Sequence, residues 1–199
     1  MTQKGLQMNF TKLFLLAASV LFIGCGAGAS SPTTNSTASE VASFTSKSQQ
    51  ELLDAVNKAR SVARDCHDGN GLLSAVAPLT WNNNLEAAAY EHAYDLAYSN
   101  TFSHLGSGTE SDTTGIAYNV KSTFTERIKS NGYENASSMG ENIAAGQSTL
   151  DEVMASWLAS PAHCAVMMNA SFTEIGVAIV TKEDSDYGIY WAQNFGDRY

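Results

Sequence analysis

The character of the sequence changes near residue 170, and this change limits the folds open to the chain. Earlier segments carry apolar residues at helical spacing, whereas the later runs EIGVAIVT and GIYWAQNF are rich in β-branched and aromatic residues. The polar segment KEDSDY between these two runs predicts a β-hairpin. Helices followed by a small, mostly antiparallel sheet predict an α+β fold in which the helices pack on the sheet.

Five helices are predicted, because each apolar segment follows a residue suited to cap a helix N-terminus. In chain order these caps are Ser48, Asn83 or Asn84, Thr123, Thr149 and Ser160. Both threonines have a glutamate three residues later, which is the spacing of a capping box. We expect the first helix to end near Cys66, with HDGNG after it as a loop.

Residues 1–24 have the layout of a lipoprotein-type signal peptide. Two lysines precede the apolar run LFLLAASVLFIG, which is too short to span a bilayer stably. The next residue is Cys25, and FIGC resembles the bacterial lipobox, with Phe22 where leucine is commonest. Lipidation is therefore expected at Cys25, with a plain cleavable signal or an N-terminal membrane helix as the alternatives. Gly26 gives no acidic retention signal, which favours the outer membrane of a Gram-negative-type bacterium.

Residues 25–46 are rich in Ser, Thr, Ala and Gly, with almost no charge, and are predicted to be a tether. Residues 47–199 are then long enough for one domain with its own core. The net charge of −9 argues against nucleic acid as a partner. We expect the partners to be the membrane, through the lipid anchor, and a small lipid or envelope ligand.

Lipidation of Cys25 would leave Cys66 and Cys164 as a pair in an oxidising compartment, which predicts a disulfide. His163 directly precedes Cys164 in SPAHC. A thiol–imidazole dyad is disfavoured there, since adjacent side chains point in different directions and Cys66 would stay unpaired. Cys164 is therefore interpreted as a half-cystine beside a histidine.

Five motifs in a fixed order resemble the bacterial branch of the CAP superfamily, which unites cysteine-rich secretory proteins, antigen 5 and pathogenesis-related proteins. They are FSH, GENIAAG, a tryptophan before SPAH, FTEIGVAIV and YWAQNFG. The resemblance implies an SCP-like, three-layer α-β-α sandwich with a cleft where two histidines and two acidic residues gather. By motif, His104 and His163 are the two histidines and Glu141 is the first acidic residue. The second acidic residue of the family would fall near Ala159 or Ser160, and this sequence has no glutamate there.

The three matched residues would suit a divalent cation such as zinc or magnesium, since two imidazoles and a carboxylate are a competent ligand set. Glu141 could instead act as a base, orient a histidine or fix its own loop through backbone hydrogen bonds. The sequence has no G-x-S-x-G or H-E-x-x-H motif. His92, on the inner face of a helix, is expected in the core, and His67 in solvent.

These features favour an envelope-tethered binding or interaction module for a small lipid, a metal ion or an envelope partner. No catalytic residue is assigned. One alternative is a metal-dependent hydrolase, acting on peptides through His104, His163 and Glu141. The other is a structural scaffold of the envelope.

Overall fold

Residues 47–199, which the computed structural model describes, contain six helices and six strands. The helices are α1 (Gln49–Arg60), α2 (Asn83–Ser99), α3 (Thr113–Tyr118), α4 (Phe124–Ser130), α5 (Leu150–Ala159) and α6 (Pro161–Met167). The strands are β1 (Arg64–Asp65), β2 (Leu72–Leu73), β3 (Thr80–Trp81), β4 (Ala136–Ala145), β5 (Glu174–Thr181) and β6 (Ile189–Arg198). The α+β class predicted from the sequence is confirmed.

The central sheet has four strands in the order β3-β5-β6-β4. Strands β5 and β6 are the predicted hairpin and pair antiparallel, from Glu174 opposite Gly196 to Thr181 opposite Ile189. Strand β4 pairs antiparallel with β6, whereas β3 pairs parallel with β5. The sheet is therefore mostly antiparallel, and β4 forms one of its edges.

Helices cover both faces of this sheet. On one face, α2 packs through Ala89, Ala93 and Leu96 against a cluster that includes Ile143 of β4. On the other face, α1, α5 and α6 pack against the larger core cluster, which contains Trp157, Trp191 and Phe195 among others. Burial of each large apolar side chain contributes about 1.5–3 kcal/mol. The result is the three-layer α-β-α sandwich that the resemblance implied.

Helix α2 approaches β5 most closely at Gly176. A Cβ atom at this position would overlap the backbone of Leu85 and Glu86 at the start of α2. Glycine is therefore required for space, because no side chain fits between the strand and the helix. This contact sets the position of α2 on the sheet and, with it, the loop that follows α2.

Cys66 and Cys164 form a disulfide that joins residues 98 apart in sequence, with Cα atoms 5.5 Å apart. The predicted pairing is thus confirmed. The bond connects the segment after α1 to α6 and packs with Met168 in a small apolar cluster.

Helix α1 ends at Arg60, earlier than the expected end near Cys66. The Arg60 side chain is buried and donates hydrogen bonds to the carbonyl oxygens of Ala77 and Met167, which fixes the end of the helix. Strand β1 begins at Arg64 and pairs antiparallel with β2, and the segment that connects the two strands contains the predicted HDGNG loop.

The predicted N-caps differ in how well they match the structure. Ser48, Thr123 and Thr149 each accept a backbone hydrogen bond and complete a capping box. The cap of α2 is Asn82, which precedes the two predicted asparagines. Ser160 occupies the N-cap position of α6 but makes no side-chain capping hydrogen bond.

Candidate functional site

The imidazoles of His104 and His163, here called the histidine pair, meet beside the edge strand β4. Their ring centroids lie 6.5 Å apart and the rings are inclined by 48°. His104 is in the loop after α2, with its side chain 51% exposed, and His163 is a half-buried residue of α6. Because α2 and α6 cover opposite faces of the sheet, the two imidazoles approach each other around its edge.

Two consecutive residues of β4 position the histidine pair. Successive side chains of a strand point to opposite faces, so Glu141 and Asn142 serve different layers. His104 Nδ1 lies 2.8 Å from Glu141 Oε1. On the other side, Asn142 Nδ2 donates to the backbone carbonyl of His163 at 3.1 Å. One prediction placed Glu141 in a loop, but this residue lies within a ten-residue strand.

Arg127 of α4 is the buried partner of Glu141. Arg127 Nη2 donates to Glu141 Oε2 at 2.8 Å, and each of the two side chains is only 1% exposed. The same nitrogen donates to the backbone carbonyl of His104 at 3.0 Å. Arg127 therefore holds both the carboxylate that orients His104 and the main chain that carries it. Arg127 was not predicted as a site residue from the sequence.

Glu141 is ionised at neutral pH. Burial acts to raise its pKa, but the hydrogen bond from His104 and the positive charge of Arg127 outweigh burial and hold the pKa below its ordinary value. An ionised carboxylate only accepts hydrogen bonds, so His104 Nδ1 carries the proton. In the neutral ring, Nε2 then keeps its lone pair, and no group within residues 47–199 hydrogen-bonds to this atom.

His92 lies in the core behind this site, as predicted. Its side chain is fully buried, and its Nε2 donates to the carbonyl oxygen of Ser103 at 3.0 Å. The same nitrogen is 3.8 Å from Glu141 Oε1. Burial lowers the pKa of His92 to about 4, so the ring is neutral at physiological pH. His92 thus supports the residue that precedes His104. His67, by contrast, is exposed to solvent, as expected.

Asp112 organises the loop between α2 and α4. Its buried carboxylate accepts hydrogen bonds from the backbone N–H groups of Gly108, Gly115 and Ser122, and from the Ser122 hydroxyl at 2.6 Å. The Ser122 hydroxyl and carbonyl accept in turn from Arg127. A chain of hydrogen bonds therefore runs from this loop to the guanidinium that holds Glu141.

The donor atoms that a metal ion could most readily reach are those of the histidine pair, because the Glu141 side chain is only 1% exposed. Both Glu141 oxygens are engaged, one by His104 and the other by Arg127. Within residues 47–199, no three His, Cys, Asp or Glu side chains form a group that could hold a metal ion. The three-ligand set of His104, His163 and Glu141 therefore stays a prediction, and the geometry favours Glu141 as the group that orients a ligand.

His163 is suited to bind as a neutral imidazole. Burial, and then the nearby His104, lower its pKa below the ordinary value of a histidine. The neutral ring is the form that ligates metals. The adjacent Cys164 is bonded to Cys66, so the thiol–imidazole dyad that the sequence disfavoured does not form.

Comparisons with known sequences identify relatives for most of the described region. The model of the CAP family, described as the cysteine-rich secretory protein family, matches residues 53–195. The uncharacterized protein YkwD of Bacillus subtilis is 31% identical over 118 residues, which is 59% of this chain and 39% of that protein. The uncharacterized membrane protein YlbC of Bacillus subtilis is 24% identical over 152 residues, or 76% of this chain and 35% of that protein. The matches thus span well under half the length of either relative.

Solved structures share this architecture. An extracellular protein containing a SCP domain from Bacillus anthracis str. Ames is 27% identical, with a TM-score of 0.54 over 75% of this chain and 40% of that chain. An outer surface protein from Borrelia burgdorferi is 22% identical, with a TM-score of 0.53 over 75% of this chain and 89% of that chain, and shows the fold alone. Among residues 47–199, no helix is long and apolar enough to cross a membrane.

Proposed function

The chain belongs to the CAP family, the cysteine-rich secretory proteins, and we propose that it is an exported binding module whose ligand is held by the histidine pair. One observation carries the proposal. His104 Nδ1–H donates a hydrogen bond to the buried Glu141 carboxylate at 2.8 Å, which leaves the lone pair of Nε2 for a ligand. His163 lies beside it, with a ring-to-ring distance of 6.5 Å.

A divalent cation is the ligand class that this pair fits best. Zinc in particular accepts neutral imidazole nitrogens, and a carboxylate behind a ligating histidine is a common supporting group. Two protein ligands leave the remaining coordination positions to water or to a second molecule. We therefore expect modest affinity and an exchangeable partner, as befits a binding module.

The hydrolase alternative receives less support from the same geometry. Zinc would supply a Lewis acid and a water of lowered pKa, which is the chemistry that such an enzyme needs. A separate general base is also expected near that water. Glu141 is committed to Arg127 and His104, and the described residues provide no third ligand group beside the pair.

Zinc titration by calorimetry tests the proposed function on the purified protein and on the His104→Ala/His163→Ala variant. We expect binding to the unchanged protein and its loss in the double variant. His67→Ala is the matched control, because the side chain of His67 is 80% exposed and belongs to a different loop. Equal zinc uptake by the double variant and the unchanged protein would falsify the proposal. Peptide hydrolysis that disappears in the same double variant would favour the hydrolase instead.

The proposed location is the cell envelope, with a lipid anchor at Cys25 in the outer membrane of a Gram-negative-type bacterium. The signal peptide (1–24), Cys25 and the tether (25–46) lie outside the described residues and stay predictions. The disulfide supports export, since such bonds persist in oxidising compartments. Membrane fractionation of a Cys25→Ser variant tests the anchor: we expect the variant to be released, and its retention through acyl chains would contradict lipidation at this residue.

A further inference from the structure

A row of tyrosines lies on the outer face of α2. Tyr90, Tyr94 and Tyr98 are spaced four residues apart and therefore share one side of the helix. Tyr90 is 54% and Tyr98 52% exposed, and the rings of Tyr94 and Tyr98 stack at 4.0 Å. We call these three residues the tyrosine ladder. None of their hydroxyl groups hydrogen-bonds to another group within residues 47–199, unlike those of Tyr118 and Tyr190.

Three surface grooves run along the tyrosine ladder. One of about 390 Å³ is lined by Tyr90, together with residues of α1 and β5. A second, of about 400 Å³, lies beside Tyr90 and Tyr94, and a third, of about 440 Å³, lies beside Tyr94 and Tyr98. Exposed aromatic side chains next to grooves are typical of interaction surfaces, where tyrosine is enriched.

The charged residues that line the three grooves are mostly acidic. Each groove is lined by one glutamate: Glu86 in the first groove, Glu91 in the second and Glu110 in the third. Among the described residues that line the three grooves, Lys47 is the only cation. The last turn of α2, where Tyr98 lies, contains no basic residue to offset the negative end of the helix dipole. The surface therefore complements a cationic partner.

One cation of this chain already lies on the tyrosine ladder. Lys182 Nζ is 5.6 Å from the centroid of the Tyr98 ring, within the range of a cation–π contact. From this contact, the grooves and the charge we propose that the tyrosine ladder binds a cationic segment of another polypeptide. Lysine or arginine side chains of that segment would lie on the tyrosine rings and approach the groove glutamates.

Calorimetry with a triarginine amide at low salt tests this proposal on the purified protein. The Tyr90→Ala and Tyr98→Ala variants should each bind the peptide about two- to fivefold more weakly, the loss of one exposed cation–π contact. Lys182→Ala should bind it more tightly, because the competing ammonium is removed from Tyr98. Tyr118→Ala is the control, since Tyr118 is 57% exposed on α3 and lies outside the ladder.

Three results would overturn the proposal. Binding that is equal in the tyrosine variants and the control would show attraction to the acidic protein as a whole. Preference for a neutral oligosaccharide over triarginine would identify a different occupant, as would dimerisation that the tyrosine variants abolish. Circular dichroism separates loss of binding from loss of folding. The His104→Ala/His163→Ala variant should bind triarginine normally, so the two proposals can fail independently.

Discussion

Replacement of Glu141 by glutamine is expected to destabilise the protein strongly, although it changes neither the size nor the shape of the side chain. The change removes the negative charge that faces the Arg127 guanidinium at 2.8 Å, and both side chains are only 1% exposed. Loss of one partner from a buried ion pair costs about 3–5 kcal/mol, because the remaining charge is left without compensation. A domain of this size has roughly 5–15 kcal/mol of stability in total, so the variant should be marginal.

Urea denaturation followed by tryptophan fluorescence measures this effect, since Trp157 and Trp191 are each 1% exposed and report on the core. Asp184→Asn is the matched control. Asp184 also pairs with a cation, Lys182, at 2.6 Å, but its side chain is 83% exposed. Ion pairs at the surface contribute little, so the control should leave the urea midpoint nearly unchanged.

A double-mutant cycle separates the charge effect from a packing effect. The Glu141→Leu/Arg127→Met variant removes both charges and leaves no uncompensated ion in the core. The matching single variants are Glu141→Leu and Arg127→Met. We expect the double variant to lose less stability than these two variants lose together. A loss of less than about 1 kcal/mol in Glu141→Gln, the value of a surface pair, would contradict a strong buried ion pair. Additive effects of Glu141→Leu and Arg127→Met would contradict it as well.

Three further predictions concern the rest of the fold. Replacement of both Cys66 and Cys164 by serine should cost about 4–5 kcal/mol in urea denaturation, because the disulfide closes a loop between residues 98 apart; equal stability of the two proteins would contradict the chain-entropy argument. Burial lowers the pKa of His92 from 6.5 to about 4, so the contribution of its neutral form to stability should be fully present above pH 6.5 and be lost, by about 3 kcal/mol, as the pH drops to 4. His92→Gln should remove the part of the slope that His92 causes and leave the part due to the lowered pKa of His163, whereas an unchanged pH profile would refute the assignment to His92. Gly176→Ala should lower the melting temperature, since overpacking costs about 1–3 kcal/mol and the new Cβ meets the backbone of α2; an unchanged melting temperature would mean that α2 moves away freely.

Helix starts were predictable because they depend on residues close in sequence. Thr123 and Thr149 are each followed by the glutamate of a capping box, and both boxes form. Strand β4 was not predicted, since its pairing partner β6 lies far along the chain and the small residues of GENIAAG give no strand pattern. Local signals thus identified the hairpin and five of the six helices. The short helix α3 was not predicted, and the strand that holds the site depended on tertiary pairing.

The site itself was predictable only in part. The motifs selected His104, Glu141 and His163, but nothing in their spacing shows that two helical layers bring them to one strand. Arg127 was missed because a charged residue in a short amphipathic helix normally faces solvent. It is buried here because a carboxylate from β4 meets it in the interior. Arg127 could therefore be recognised as a buried site residue only once the structure had shown its contact with Glu141.

The two imidazoles of the histidine pair come from opposite helical layers of the sandwich, so the distance between them depends on the relative position of these layers. His104 follows α2 and His163 belongs to α6, so a change in the relative position of these layers would change the 6.5 Å distance between the ring centroids. A ligand that bridges both imidazoles would act as a clamp across the sandwich. By thermodynamic reciprocity, a change that moves the layers apart would weaken binding of that ligand, and the bound ligand would stabilise the present arrangement of the layers.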